Sequence, residues 1–165
     1  MVRRLRRVVR STFAAEINAL LDAIESLIIL QLAMHQIQNG TAESAEQLME
    51  KLEMGGLSPP IEACIDARSV FDAIAASDVT TPQEATLKLH LVSIRNRIEN
   101  GVLKRLWWVD TRDMVADALT KGGIDRKLLT SVMQGNLSLQ YDFVKHENTK
   151  LIKLASSNFP INFRK

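Results

Sequence analysis

The sequence predicts an α/β domain with a long first helix and two parallel strands joined by a helical crossover. An apolar stretch without proline or glycine runs from Phe13 to Gln38, which is typical of a long helix. Two short runs rich in branched or aromatic residues, 61–65 and 102–109, flank about 35 residues of mostly helical pattern. A crossover of this kind places both strands parallel in one sheet.

The composition indicates one globular domain rather than a disordered or membrane-spanning chain. The 165 residues are 46% hydrophobic and 24% charged, close to the average for soluble proteins. The longest nearly uncharged apolar run, Ser26 to Met34, is far shorter than a bilayer span, so we expect no membrane contact. The single cysteine, Cys64, excludes an intramolecular disulfide and predicts a reducing, intracellular compartment, the cytoplasm or the nucleus.

The first helix has a start signal, an apolar face and an end signal. Ser11 or Thr12 can cap it, and Asn39-Gly40 is a plausible end. Val8-Val9, just before it, is a short candidate for a strand end. Apolar residues recur at helical spacing within it: Ile17, Leu20, Leu21, Ile24, Leu27, Ile28 and Leu32.

The middle of the chain contains the two best strand candidates. A polar helix is expected at 43–53, before a break at Gly55-Gly56 and Ser58-Pro59-Pro60. The strand at 61–65 is followed by Asp66 and by a helix over 67–76. Thr81-Pro82-Gln83-Glu84 is a helix start signal, and Asn100-Gly101 ends that helix before the strand at 102–109.

The last third is predicted to be shorter and more irregular. Asp110-Thr111 is expected to start a helix that continues through Leu119, and Asp125 to cap another helix. Residues 137–143 alternate and are expected to form a strand. We therefore expect a domain over 1–135 and a C-terminal extension or tail over 136–165.

Acidic residues follow both predicted strands. Asp66 and Asp110 stand at the carboxyl ends, where open α/β sheets bind ligands, and Asp117 follows two helical turns later. Residues 1–10 carry five arginines, whereas 11–66 carry nine acidic residues and one lysine. Phosphate binding beside a metal-binding carboxylate cluster would explain this pattern, and so would helix capping with solvated charges.

Three segments, in order and at matching spacing, carry a family resemblance. They read VRSTFAAEINAL at 9–20, ACIDARSV at 63–70 and WVDTRDMVADALTK at 108–121. Together they resemble the ribonuclease H domain that closes the polyprotein of copia-type retrotransposons. The third is the most specific, because a strand ending in Trp-Val followed by Ala-Asp-x-Leu-Thr-Lys is close to a hallmark of that family. The similarity covers about residues 8–121.

The resemblance implies a ribonuclease H-like fold and a defined chemistry. Such enzymes cut the RNA strand of an RNA–DNA hybrid, using two Mg²⁺ ions held by carboxylates. By position, Glu16, Asp66 and Asp117 would be the catalytic metal ligands. The cationic side chains Arg105, Arg112 and Lys121 are candidates for contacts with nucleic-acid phosphates, with ordinary solvated charges as the alternative.

The sequence also departs from the family pattern. The family's first catalytic aspartate and its strand have no counterpart before Ser11, so we expect an N-terminally truncated fold. Thr86-Leu87-Lys88 stands where the family has Thr-Lys-His, and no histidine lies between Trp108 and Asp117. Whether this chain is an enzyme is therefore left open.

We expect the isolated chain to be inactive because a metal ligand is missing. Two alternatives remain. One is a nucleic-acid-binding or protein-interaction module that uses the helix over 13–38. The other is a nuclease completed by a reverse transcriptase domain or by another chain that supplies the missing strand.

Overall fold

A computed structural model describes residues 11–40, 43–76, 85–123 and 125–148 of the protein. Helices and strands alternate in the manner of a mixed α/β domain. The elements are α1 (Thr12–Asn39), α2 (Ala45–Glu53), β1 (Ile61–Ile65), α3 (Arg68–Ala75), α4 (Ala85–Glu99), β2 (Leu103–Val109), a 3₁₀ turn (Thr111–Asp113), α5 (Asp117–Thr120), α6 (Lys127–Met133) and β3 (Phe143–Glu147). The predicted strand end at Val8-Val9 and the start signal at 81–84 lie outside the described residues.

The described strands form one mixed sheet in the order β1-β2-β3. β1 and β2 are parallel, with Ile65 opposite Trp108, and α3 and α4 lie between them in sequence. The prediction of two parallel strands joined by a helical crossover is therefore confirmed. β3 pairs antiparallel with β2 on the other side, with Phe143 opposite Val109.

The long helix α1 begins and ends as the sequence signals predict. The Ser11 hydroxyl accepts a hydrogen bond from the Ala14 amide at 3.2 Å, which satisfies an otherwise unpaired donor of the first turn. Gly40 closes the helix with a φ of 58°, a left-handed conformation that glycine adopts without steric cost. The 28 residues between them span about 42 Å.

One face of α1 packs into the hydrophobic core through Ala14, Ile17, Leu20 and Ile24. The helices α1, α3 and α4 cover one face of the sheet, where β1 and β2 contribute alternate apolar side chains. The fully enclosed members include Ile17 and Ile24 of α1, and Leu91 and Ile94 of α4. By length and composition α1 is also apolar enough to cross a membrane, with a mean hydropathy of 1.6 over its most apolar window. Core helices of soluble proteins pass the same test, so the expected absence of membrane contact stays a prediction.

Polar side chains on α1 hold the loop that leads into β1. The Gln31 amide donates to the carbonyl oxygens of Leu57 and Pro59, at 3.3 and 2.7 Å. The Ser58 amide donates to His35 Nδ1 at 3.1 Å. These bonds satisfy buried polar groups in the loop between α2 and β1 and fix the position at which β1 starts.

The prediction of one helix from 110–111 through Leu119 is wrong. A 3₁₀ turn covers Thr111–Asp113, and α5 begins only at Asp117. The helix is interrupted because Met114 has an extended backbone, with ψ of 101°. The Asp113 carboxylate, buried in the same turn, binds the segment before β3 instead of facing solvent.

The third strand also lies later than the predicted 137–143. The amides of Gln140 and Tyr141 donate to Asp113 Oδ2, so they are not available for a sheet ladder. Pairing starts at Phe143 and continues to Glu147. Part of the segment that we assigned to a C-terminal extension, 136–165, therefore belongs to the sheet.

Candidate functional site

Asp66 stands directly after β1, at the carboxyl end of the parallel strand pair. Its backbone carbonyl accepts a hydrogen bond from the Trp108 indole at 3.0 Å, which ties the ends of β1 and β2 together. The Arg68 guanidinium lies 4.6 Å from the Trp108 ring centroid and covers that ring from outside. The chain direction after β1 is therefore fixed by contacts from β2 and α3.

Glu16 lies on the exposed side of α1, between side chains that anchor the helix. Ala14 and Ile17 are buried in the core on either side of it in sequence, and the Ser11 cap fixes the first turn. α1 packs against β1, the strand that ends before Asp66. Helical periodicity thus places the Glu16 carboxylate at the surface of a rigid element.

Asp117 is the first residue of α5, and it forms an ion pair with Lys121. The Lys121 ammonium is 2.7 Å from Asp117 Oδ2, one helical turn away in sequence. The Asp117 side chain is only 16% exposed, whereas that of Lys121 is 55% exposed. The Asp117 carboxylate is therefore largely shielded from solvent, and it pairs with Lys121 at an i, i+4 spacing.

The structure brings the three predicted carboxylates into the electrostatic environment of that one ammonium. The pKa of Lys121 is raised, chiefly by its hydrogen bond to Asp117; desolvation opposes this rise, and the charge of Asp117 adds a smaller increase. The charges of Asp66 and Glu16 raise it further. The charges of residues from α1, the end of β1 and α5 therefore all act on Lys121. The catalytic role of these residues stays a prediction.

The donor chemistry of this cluster suits a hard divalent cation. Carboxylate oxygens are the ligands that Mg²⁺ prefers, and all three side chains supply them. Asp117 Oδ2, however, is already engaged by Lys121. Within the described ranges, no group of three or more histidine, cysteine, aspartate or glutamate side chains is placed to hold a metal ion together.

The three predicted phosphate contacts all form ion pairs within the chain. Arg105 on β2 binds Glu62 of β1 and Glu147 of β3, the latter at 2.8 Å. Lys121 binds Asp117, as described. These side chains therefore hold the sheet and α5 together in the folded chain, and their role toward nucleic acid stays a prediction.

Arg112 is the third of these cations, and its pairing is the tightest. Its guanidinium binds both carboxylate oxygens of Asp110, at 2.8 and 2.9 Å, and lies 3.7 Å from the Tyr141 ring centroid. This contact lowers the pKa of Asp110 to about 2. Asp110 therefore acts as the partner of Arg112 rather than as part of the cluster around Lys121.

Two concave regions lie on either side of the 3₁₀ turn and α5. A pocket of about 420 Å³ is lined by Arg112, Asp117, Lys121 and Asp125, with apolar neighbours such as Leu128. A separate cleft of about 690 Å³ lies on the face of the sheet away from α1. Its lining is mostly apolar and includes Cys64, Trp107, Val109, Met114, Leu139 and Phe143. Only the smaller pocket includes a residue of the carboxylate cluster.

Sequence reasoning missed two residues that organise this region. Asp113 holds the segment before β3, and its partners are 27 and 28 residues away, so no local pattern could indicate them. Trp108 positions the backbone of Asp66 through its indole N–H. The Asp117–Lys121 pair, in contrast, has an i, i+4 spacing that is visible in the sequence.

No protein-family model, curated protein or solved structure matches this chain.

Proposed function

We propose that this chain is a ribonuclease H-like domain of copia-type retrotransposon origin. In this proposal Glu16, Asp66 and Asp117 are the carboxylates of a two-metal site for hydrolysis of the RNA strand of RNA–DNA hybrids. The observation that supports it most is that all three act on the Lys121 ammonium, although they come from α1, the end of β1 and α5.

The position of the cluster within the fold gives further support. Asp66 follows a strand that is parallel to its neighbour, and the carboxyl ends of such strands are where α/β sheets bind ligands. The pocket beside Asp117 is also lined by Arg112 and Lys121, so two cations lie next to the cluster. Phosphates of a bound strand could contact Arg112 and Lys121 there if these side chains leave their present partners, Asp110 and Asp117.

A pair of Mg²⁺ ions, when bound, would activate the attacking water and stabilise the leaving 3′ oxygen. The chain's own residues would hold these ions and orient the scissile phosphate. We propose that the chain by itself does not cleave hybrids. Lys121 holds a positive charge against Asp117, one of the proposed ligands, and the family's additional aspartate has no counterpart that we identify in the sequence.

A cleavage assay combined with a binding assay tests both parts of the proposal. The wild-type chain and Asp66→Asn are incubated with a labelled RNA–DNA hybrid in Mg²⁺ and in Mn²⁺, and binding is measured at several salt concentrations. We expect salt-sensitive hybrid binding and no cleavage that depends on Asp66. Cleavage that Asp66→Asn abolishes would contradict the inactivity and support the nuclease assignment. Failure to bind hybrid in preference to duplex DNA would contradict the assignment itself.

A second candidate function, a protein-interaction module, is favoured by a different observation. Apolar side chains on the outer side of α1 are exposed, with Ile29 71% and Ile37 76% exposed. A partner such as a reverse transcriptase domain or a complementing chain would cover them. Light scattering of the purified chain separates the two cases. A stable monomer that binds no hydrophobic dye would count against the interaction module.

A further inference from the structure

The helix α1 is apolar on the side that faces away from the core as well as on the side that packs into it. Six outward positions follow one another at spacings of four, three, four, three and four residues, and all six are exposed: Ala19, Ala23, Ser26, Leu30, Ala33 and Ile37. We call these six residues the outer stripe of α1. A helix that is apolar on all sides is typical of one that is also covered on all sides.

The outer stripe can be covered without a large cost in lost hydration. Its two large side chains, Leu30 and Ile37, are 57% and 76% exposed. The Ser26 hydroxyl donates to the carbonyl oxygen of Asp22 at 2.8 Å, so it already has a partner within the helix. From Ser26 to Asn39 the sequence has no aspartate, glutamate, lysine or arginine. Covering this half of the helix therefore removes no carboxylate, ammonium or guanidinium group from water.

The spacing of the outer stripe is that of a seam between two paired helices. Alternating steps of four and three residues keep a stripe aligned along such a seam. In an antiparallel pair of α1 helices, Ile37 of one copy lies against Ala19 of the other, and Leu30 lies against Ser26 in the same register. The two remaining positions are both alanine and face each other. Each large side chain thus meets a small one, and each contact occurs twice by symmetry.

The acidic residues of α1 favour the antiparallel orientation over the parallel one. Glu16 lies one heptad before Ala23, and Asp22 flanks the outer stripe; both acidic side chains are exposed. A parallel pair would bring each carboxylate beside its own copy, and like charges repel. In the antiparallel register the same carboxylates lie beside residues 34–40 of the other copy, which carry no aspartate or glutamate. The dipoles of antiparallel helices also oppose each other favourably.

The charges of α1 favour a protein partner over a lipid surface. Helices that bind at a membrane surface carry lysine and arginine along their polar side. α1 has neither residue type and has three acidic residues, Glu16, Asp22 and Glu25, which the negative charge of a membrane surface would repel. Insertion across a bilayer would also withdraw Ile17 and Ile24 from the core in which they are buried.

We propose that the chain forms a symmetric dimer in which the outer stripes of two α1 helices pack antiparallel, with Ile37 of each copy against Ala19 of the other. The alanines allow the helix axes to approach to about 8 Å. The interface uses the side of α1 opposite to the core, so the fold of each copy is unchanged. The proposal goes beyond the proposed function and does not depend on it.

Sedimentation velocity of the full chain, between about 1 and 100 μM, tests whether the dimer forms. We expect a species of twice the 18.5 kDa chain mass to increase with concentration. Ile37→Lys places an ammonium at two points of the seam and should weaken the dimer at least about tenfold. Met54→Lys is the matched control, since Met54, just after α2, is also 76% exposed. It should dimerise like the wild type, and circular dichroism confirms that each variant is folded.

Disulfide cross-linking tests the orientation, with Cys64→Ser in every chain. Chains with Ala19→Cys are mixed with chains with Ile37→Cys and oxidised. We expect mixed dimers to be linked, because these two positions face each other. Identical chains should not be linked, since positions 19 and 37 are about 27 Å apart along the helix, far beyond the about 7 Å that a disulfide spans between Cα atoms.

Three results would overturn the proposal. The first is a wild-type chain that stays monomeric up to about 100 μM. The second is equal weakening of the dimer by Met54→Lys and Ile37→Lys, or linkage of identical chains in preference to mixed ones. The third is binding of the wild type, but not of Ile37→Lys, to vesicles of phosphatidylcholine and phosphatidylserine, which would make a lipid surface the occupant of the outer stripe.

Discussion

Asp113 gives the sharpest test of how the region around α5 is held on the sheet. Its side chain is 5% exposed, and its Oδ2 accepts hydrogen bonds from the amides of Gln140 and Tyr141, at 2.9 and 2.7 Å. Hydrogen bonds to a charged group contribute about 1.5–3 kcal/mol each. Because the two bonds share one oxygen and both amides are partly accessible, we expect Asp113→Ala to lower the free energy of unfolding by about 2–4 kcal/mol.

Urea unfolding followed by circular dichroism measures this change. A loss of that size corresponds to a melting temperature lower by about 5–15 °C for a domain of this length. Asp72→Ala is the control, since Asp72 is 55% exposed and pairs only at the surface with Arg68. That change should cost less than about 0.5 kcal/mol. Equal stabilities of Asp113→Ala and Asp72→Ala would refute the reasoning.

Three further predictions concern the core and the dependence of stability on pH. Leu91 is fully buried, so Leu91→Ala should cost about 2–5 kcal/mol in chemical denaturation, and a cost below about 1 kcal/mol would contradict the core described here. Arg112 lowers the pKa of Asp110 to about 2, so their contact stabilises the fold above about pH 4 and is lost as the pH falls toward 2. Asp110→Asn should flatten that part of the stability curve, and an unchanged slope would contradict the pairing. Burial, and then the charge of Arg95, lower the pKa of His146, so the unfolded state takes up the proton first and stability falls as the pH drops below 6.5. His146→Gln should remove this loss of stability between pH 7 and pH 5. A loss of stability that persists in this variant would show that His146 does not cause it.

Local signals in the sequence predict the described elements from α1 to β1 well. Ser11 and Gly40 bound α1, and β1 spans the predicted 61–65. These elements follow from caps, breaks and apolar spacing, which are properties of neighbouring residues. The parallel pairing of β1 with β2 follows from the length of the helical crossover.

The last third could not be predicted in the same way, because long-range contacts decide its structure. The amides of Gln140 and Tyr141 donate hydrogen bonds to Asp113 instead of pairing with β2. The third strand therefore starts only at Phe143 and ends at Glu147. Arg105 is placed between Glu62 and Glu147, which lie 43 residues before it and 42 residues after it. No periodicity within one element carries that information.

The resemblance to a known family, rather than any pattern of charge, indicated Glu16, Asp66 and Asp117 together. Their sequence contexts differ, and each has an ordinary explanation as a surface or capping residue. The structure adds the contact of Lys121 with Asp117, and the charges of Asp66 and Glu16 contribute to the raised pKa of Lys121. The i, i+4 spacing to Asp117 predicts only one of these three interactions.

The central claim is that Glu16, Asp66 and Asp117 share one site in which their charges act on Lys121, and a titration of Lys121 by nuclear magnetic resonance tests it most directly. The ¹³Cε signal of Lys121 is followed with pH in the wild type and in Asp117→Asn, Asp66→Asn and Glu16→Gln. We predict a raised pKa of Lys121 in the wild type, the largest fall in Asp117→Asn and smaller falls in the other two variants. If Asp66→Asn and Glu16→Gln leave the pKa of Lys121 unchanged, the carboxylates do not share a site, and the claim is wrong.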